Sequence, residues 1–194
     1  FHDGVPLTAE DVAFTINLLQ NEKTRSPLRD VFVPIKAKVI DVRTIAITLP
    51  STTSYFDRVM TIGIMPKHLW EKIAPEDIKT STQNLHPVGS GPYRFEELVT
   101  VGSRSTALRL TRNTVFYRNP AYIKEIEFRF HTTYSESVEA FRKQESDAIG
   151  PLSANDHDAQ NTTFSSVYTF HLPEFTAIFF NQIAHSALSD NTVR

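Results

Sequence analysis

The chain contains no cysteine. That absence excludes a disulfide scaffold, a thiolate zinc site, Fe–S ligation and a cysteine nucleophile. It leaves the compartment open and is compatible with an oxidising one. No run approaches the roughly 20 apolar residues of a membrane-crossing helix; the densest stretch, Phe175 to Phe180, is far shorter. Neither sign of charge dominates, since 20 Lys and Arg oppose 22 Asp and Glu for a formal charge of -2. A strongly basic nucleic-acid protein is thereby disfavoured. Phosphate loops of the Gly-x-x-x-x-Gly-Lys type are missing, as is Gly-x-Gly-x-x-Gly. Gly89-Ser90-Gly91 mimics a nucleophile elbow only superficially, because Pro92 stands where a helix has to begin. There is no internal repeat, coiled coil or low-complexity tract.

What is present reads as globular. Of 194 residues, 40% are apolar, 22% charged and 11% aromatic. The length fits one domain or two small ones, which would bury roughly 70% of the unfolded surface. No signal peptide is visible. The chain opens Phe1-His2-Asp3-Gly4 without Met and stops at Asn191-Thr192-Val193-Arg194, in what reads as the first turn of a helix. The expectation is an excised fragment of a longer protein.

Asp3-Gly4 is a turn signal. Thr8, followed by Glu10 and Asp11, caps a helix that runs to Gln20, although its apolar residues do not repeat cleanly at 3.6. Asn21 to Asp30 is polar and reads as loop. Ala37 to Val42 and Thr44 to Leu49 are β-branched runs broken at Asp41-Val42-Arg43, which predicts a hairpin. Tyr55 to Met60 fits a helical turn, Ile62 to Met65 a short buried strand, and Pro66 to Ile73 a helix with Pro66 at its first position. Pro75 to Asn84 is polar and irregular. Strands are expected at Tyr93 to Leu98, Ala107 to Arg112 and Tyr122 to Phe130, with a helix from Ser135 to Glu145. Val167 to Leu172 and Thr176 to Asn181 are β-prone. Interleaved strands and helices point to α/β.

No catalytic set emerges from these residues. His2-Asp3 has the residue types of a base and its orienter, but no nucleophile accompanies it, so a structural turn is expected. Asp156-His157-Asp158, with His171 and His185, offers metal-ligand types without ligand spacing, so a solvated loop is expected. Asn161-Thr162-Thr163 is a formal glycosylation sequon. Tyr55, Phe56, Tyr117, Tyr122 and Tyr134 have the types that line a ligand cleft, yet most aromatics in such a chain are core.

Read in order, the punctuated segments resemble a family. Phe1-His2-Asp3-Gly4 with Pro6-Leu7-Thr8-Ala9-Glu10-Asp11-Val12 looks like a hallmark of the extracellular solute-binding proteins of family 5. These are the oligopeptide-, dipeptide- and nickel-binding components of ABC importers. Pro66-Lys67-His68-Leu69-Trp70, Pro87-Val88-Gly89-Ser90-Gly91-Pro92-Tyr93-Arg94-Phe95 and Leu110-x-Arg112-Asn113 with Tyr117 fit the next blocks. Phe141, Asp147 and Ala148, then Phe180-Asn181 and Asp190-x-x-Val193-Arg194, fit the last ones. The run Arg142 to Asp147 departs by lacking the usual Gly before that Asp, which touches the helix C-cap.

The resemblance implies a type 2 periplasmic-binding fold, here most of lobe 1 and the start of lobe 2. It implies residues 1–90 as an accessory subdomain of lobe 1, 91–130 as return strands of that lobe, and 131–194 as the crossing to lobe 2. The glycines at 89 and 91 are expected to permit a tight turn. Ligand contacts are expected from Ser26, Leu28, Ile62, Ile64, Phe175 and Thr176. The implied function is capture of a peptide-like solute and its delivery to ABC permease subunits. The implied protein is a monomer without cofactor, metal, catalytic residue or nucleic-acid partner. It lies in the periplasm or outside the cell, with a signal sequence or lipid anchor in the full-length form. A fragment of this length is expected to bind solute poorly by itself. The same fold also serves as the ligand sensor of larger transcriptional regulators, which is the alternative.

Overall fold

The computed structural model describes residues 1–52, 56–150, 152 and 164–168. The chain divides into two compact units, Phe1–Thr132 and Thr133–Arg194.

The first unit is organised around helix α1, Ala9–Gln20. Its start is fixed as the sequence suggests. The Asp11 carboxylate accepts the Thr8 backbone N–H at 2.8 Å and the Thr8 hydroxyl at 2.9 Å. The imperfect periodicity has a physical cause, because the helix carries two apolar stripes. Val12, Ile16 and Leu19 face one cluster, which also holds Phe32, Ile35, Ile47, Phe56 and Ile62. Phe14 and Leu18 face another, with Trp70, Ile78, Met65 and Leu69. A helix buried on two sides has no single moment to read.

The polar stretch from Asn21 to Asp30 is more ordered than its composition suggests. It contains a 3-10 turn, Glu22–Thr24, and leads into a one-turn helix α2, Arg29–Phe32. Phe32 is 1% exposed and anchors this region. The expected hairpin follows as β1, Lys36–Val39, and β2, Ile45–Thr48, in antiparallel register. Helix α3 is Phe56–Val59 and α4 is Lys67–Trp70. Pro66 therefore precedes the helix rather than opening it. The segment Ile62 to Met65 is not a strand. It has no β partner, and its Met65 N–H donates to the Thr15 hydroxyl at 2.9 Å. Pro75–Thr80 and Thr82–Leu85 are 3-10 helices, and Ile78 is buried.

A three-stranded antiparallel sheet closes the unit, with β3 Tyr93–Val101, β4 Arg104–Arg112 and β5 Glu125–Arg129 in that order. Both sheets among the described residues are antiparallel. Strands β3 and β4 are longer than the sequence suggests, because a two-residue turn at Gly102-Ser103 lets them pair to their ends. Gly102 has φ +64° there, which glycine adopts without strain. The register shifts between Phe95 and Glu97. That bulge leaves Phe95 and Leu98 on one face although they are three residues apart. The opposite face carries Glu97, Arg109 and Glu127 directly across from one another. Arg109 bonds both carboxylates at 2.8 Å. These bonds, Arg109 foremost and then Arg129, hold the Glu127 carboxyl below its ordinary range. Such exposed pairs fix register more than they stabilise.

In the second unit, helix α5 spans Tyr134–Arg142. The Thr133 hydroxyl accepts the Glu136 N–H at 3.2 Å and caps its start. Its end is a Schellman turn: Gln144 N–H bonds Phe141 O and Glu145 N–H bonds Ala140 O, each at 2.9 Å. The missing glycine thus does not change the cap. Gln144 takes the left-handed position instead, at φ +59°. Gln144→Gly is expected to raise stability by about 0.5 kcal/mol, the relief of left-handed strain exceeding glycine's entropic cost. A thermal melt of the full-length variant reads this; a lower midpoint would show that Gln144 is not strained.

Candidate ligand-binding segments

The first candidate segment is the loop that carries Ser26 and Leu28. The Ser26 hydroxyl accepts the Leu28 N–H at 3.2 Å, and its backbone carbonyl accepts Arg29 N–H at 3.2 Å. Ser26 is half-buried, while Leu28 is 42% exposed. Two ties from outside hold this loop. Lys79 Nζ donates to Arg25 O at 2.9 Å, and Lys23 Nζ lies 3.4 Å from Glu76 Oε1. Further on, the Gln20 side-chain amide donates to Phe32 O at 2.9 Å and Ile35 O at 2.6 Å, fixing the end of α2.

The second segment is Ile62 to Ile64. Ile62 packs against the Ile16, Phe32 and Ile35 cluster, so the two segments share one foundation through Phe32 and Ile62. Gly63 is exposed and Ile64 half-buried. The following residues are clamped to α1. Asp11 Oδ1 accepts the Lys67 backbone N–H at 2.8 Å, while Thr15 holds Met65 and donates to Asp11 O at 2.8 Å. Asp11 is only 5% exposed. Burial pushes its carboxyl up, but the N–H groups of Lys67 and Thr8 and the Thr8 hydroxyl together bring it below the ordinary value. Phe175 and Thr176 lie outside the described residues.

His2 and Asp3 do not pair with each other. The His2 Nδ1 accepts Gly89 N–H at 3.2 Å, which leaves Nε2 to donate to Gly91 O at 3.0 Å. Asp3 Oδ2 lies 2.7 Å from His68 Nε2, and Asp3 Oδ1 accepts Val5 N–H at 3.0 Å. Burial raises the Asp3 carboxyl, and its bonds to His68 and Val5 more than offset that. A shallow depression of about 360 Å³ lies over His2, Asp3, His86 and Phe95. His2 and Asp3 there already hold structural partners, and the His86 ring packs edge-on against Phe95 at 5.2 Å.

The tight turn before β3 does not depend on glycine conformation. Gly4 and Gly102 have positive φ, whereas Gly89 and Gly91 do not. Instead the turn is held by its neighbours. Gly91 O also accepts the buried Asn113 side-chain amide at 3.1 Å, and Pro92 O accepts Asn113 N–H at 2.9 Å. The Pro87-to-Phe95 and Arg112-Asn113 blocks are therefore partners in space.

The aromatic candidates separate. Phe56 packs in the core, but Tyr117, Tyr122 and Tyr134 are 74%, 100% and 42% exposed, against the expectation that such rings are core. Tyr55, the Asp156 to Asp158 loop, Asn161, His171 and His185 lie outside the described residues. Among the described residues no group of His, Asp or Glu is arranged to hold a metal, and no helix is long and apolar enough to cross a membrane. Sequence reasoning missed Gln20, Thr15 and Lys79, whose roles depend on partners far along the chain.

Comparison with known proteins extends these observations. The family model described as bacterial extracellular solute-binding proteins, family 5 Middle, matches residues 1–194. A Brucella ovis protein named for peptide binding in ABC transport is 26% identical over 186 residues, covering 94% of this chain and 34% of the relative. The chain thus spans about a third of the length of the curated relatives it matches. Among solved structures, the ABC transporter substrate-binding protein CtaP of Listeria monocytogenes has a TM-score of 0.64 and 34% identity, covering 74% of this chain and 29% of that one. NikZ of Campylobacter jejuni, solved with Ni(L-His), has a TM-score of 0.65 and 28% identity, covering 74% and 28%. The fold is part of a type 2 periplasmic-binding fold.

Proposed function

Since the chain belongs to family 5 of the bacterial extracellular solute-binding proteins, we propose that it is part of the substrate-binding component of an ABC importer. The whole protein captures a peptide-like solute outside the cytoplasmic membrane and hands it to the permease without chemistry of its own. The family match along residues 1–194 is the observation that carries this reading. The names of the Brucella ovis relative and of the oligopeptide-binding protein AppA of Bacillus subtilis favour a peptide over the nickel chelate held by NikZ. Binding of varied peptides needs backbone-level hydrogen bonds and tolerant pockets. The exposed Leu28 and the adjoining Ser26 turn suit that task, and the half-buried Ile64, next to the core-packed Ile62, adds apolar surface. Phe175 and Thr176 are proposed to contribute from the second lobe. The two lobes close around the solute by a hinge motion. The working form is a monomer, exported and held at the membrane by a lipid anchor or free in the periplasm.

The test is direct. The full-length protein is purified without added solute and denatured, and the released small molecules are identified by mass spectrometry. A ladder of short peptides is the expected result. A single sugar or a chelated metal overturns the peptide assignment while leaving the binding function.

A further inference from the structure

The strained loop between α1 and α2 is fixed by a residue that sequence reasoning passed over. Arg25 sits at φ 51° and ψ 41°, the left-handed region that side chains other than glycine adopt at a cost. Such a conformation persists only where its surroundings hold it. Within the loop, the Arg25 N–H bonds Glu22 O at 3.1 Å. The second hold comes from far along the chain, where Lys79 Nζ donates to Arg25 O at 2.9 Å. Lys79 is itself well placed to act as an anchor. It directly follows Ile78, which is 8% exposed and packs with Leu18 and Trp70. The Asn84 amide clasps Ile78 O at 2.7 Å and Lys79 O at 3.3 Å. The loop's backbone turns are bonded, but one side-chain atom within it and one at the start of α2 are not. Among the described residues, the buried Thr24 Oγ1 and Arg29 Nε have no hydrogen-bond partner. A segment with strain and unpaired buried polar atoms depends on its external ties.

We propose that Lys79 is a positioning residue for solute capture: from its Ile78 anchor it holds the Arg25 carbonyl and so sets the placement of Ser26 and Leu28. This rests on the reading that the Ser26–Leu28 loop touches the solute. Lys79 touches no solute itself. It acts by keeping the loop in its binding geometry before the solute arrives, which spares an ordering cost on binding.

The experiment uses the full-length protein and three variants, Lys79→Met, Lys79→Arg and Lys79→Met with Arg25→Gly. Amide exchange of Arg25, Ser26 and Leu28 is followed by mass spectrometry, beside a urea melt. Lys79→Met is expected to speed exchange in this loop about tenfold while the melt stays nearly unchanged. Lys79→Arg keeps the donor and should retain protection. The double variant removes the strain and should recover part of it. In parallel, retention of a random nonapeptide pool is expected to fall about tenfold for Lys79→Met. Unchanged loop exchange overturns the proposal. Faster exchange with undiminished retention also overturns it, provided Ser26→Ala or Leu28→Ala weakens retention. If neither of those variants weakens it, the loop is not a solute contact and the underlying reading fails instead. A wild-type protein that ignores the pool overturns the peptide assignment alone, and exchange then decides whether Lys79 positions the loop.

Discussion

Replacing Phe32 with alanine is expected to destabilise the protein by about 4 kcal/mol, in the range seen for emptied aromatic sites. Phe32 is 1% exposed and, with Ile16, among the most deeply buried large side chains. Its ring meets Ile16 of α1 and Ile35 before β1, and Ile62 packs on the same cluster. The loss combines transfer of the ring to water with the cavity left behind, which a helix of one turn cannot collapse to fill. Phe32→Leu leaves a smaller void and should cost about 1–2 kcal/mol, which keeps the experiment readable if the alanine variant does not fold. Urea unfolding of the full-length variants supplies the numbers. A loss under about 1 kcal/mol for alanine would mean that the site relaxes or is not core. Because Phe32 and Ile62 share this cluster, and Ile62 is a proposed solute contact, the alanine variant is also expected to lose solute affinity beyond what its stability explains.

Asp11→Ala should cost about 3 kcal/mol, because it removes a charged acceptor and strands donors already withdrawn from water. The Lys67 and Thr8 backbone N–H groups both bond this carboxylate at 2.8 Å. Asp11→Asn keeps one oxygen and should cost less. The pH dependence gives a second handle. The folded carboxyl titrates below its ordinary value, so the unfolded chain binds the proton more readily than the folded one. Its stabilisation is complete above about pH 4, the unfolded value, and is lost as pH falls through the lower folded value. Unfolding free energy measured from pH 6 to pH 2.5 should therefore drop less steeply in Asp11→Asn than in the wild type. Parallel slopes would show that the clamp does not titrate with folding.

What could be read from the sequence was local. The β1–β2 hairpin was legible because two β-branched runs flank Asp41-Val42-Arg43, and the Arg43 N–H does bond the Asp41 side chain at 2.8 Å. Asp11 was legible as a cap, but not as a clamp on Lys67, nor Thr15 as a clamp on Met65, since those roles need partners fifty or more residues away. The polar stretch Pro75 to Asn84 hid its anchor, Ile78, because one apolar residue in a polar window leaves no period. Ile62 to Met65 looked like a strand for the converse reason: an apolar run does not reveal whether a partner strand exists. The candidate solute contacts came from likeness to a family, and nothing in their residue types announces them. Lys79 illustrates the remainder, since a lysine in a polar tract reads as solvated surface until the Arg25 carbonyl appears beside it.

The tie between His2 and the Gly89 to Gly91 turn has a consequence for how such proteins diverge. The backbone N–H of His2 bonds Gly89 O at 2.8 Å. The two ends of the stretch between them therefore lie side by side. Insertions and deletions within that stretch need not displace what lies on either side of it. If residues 1–90 form a subdomain of their own, as the family resemblance implies, the bonds of His2 and Asn113 to Gly89 and Gly91 fasten both of its ends at one place.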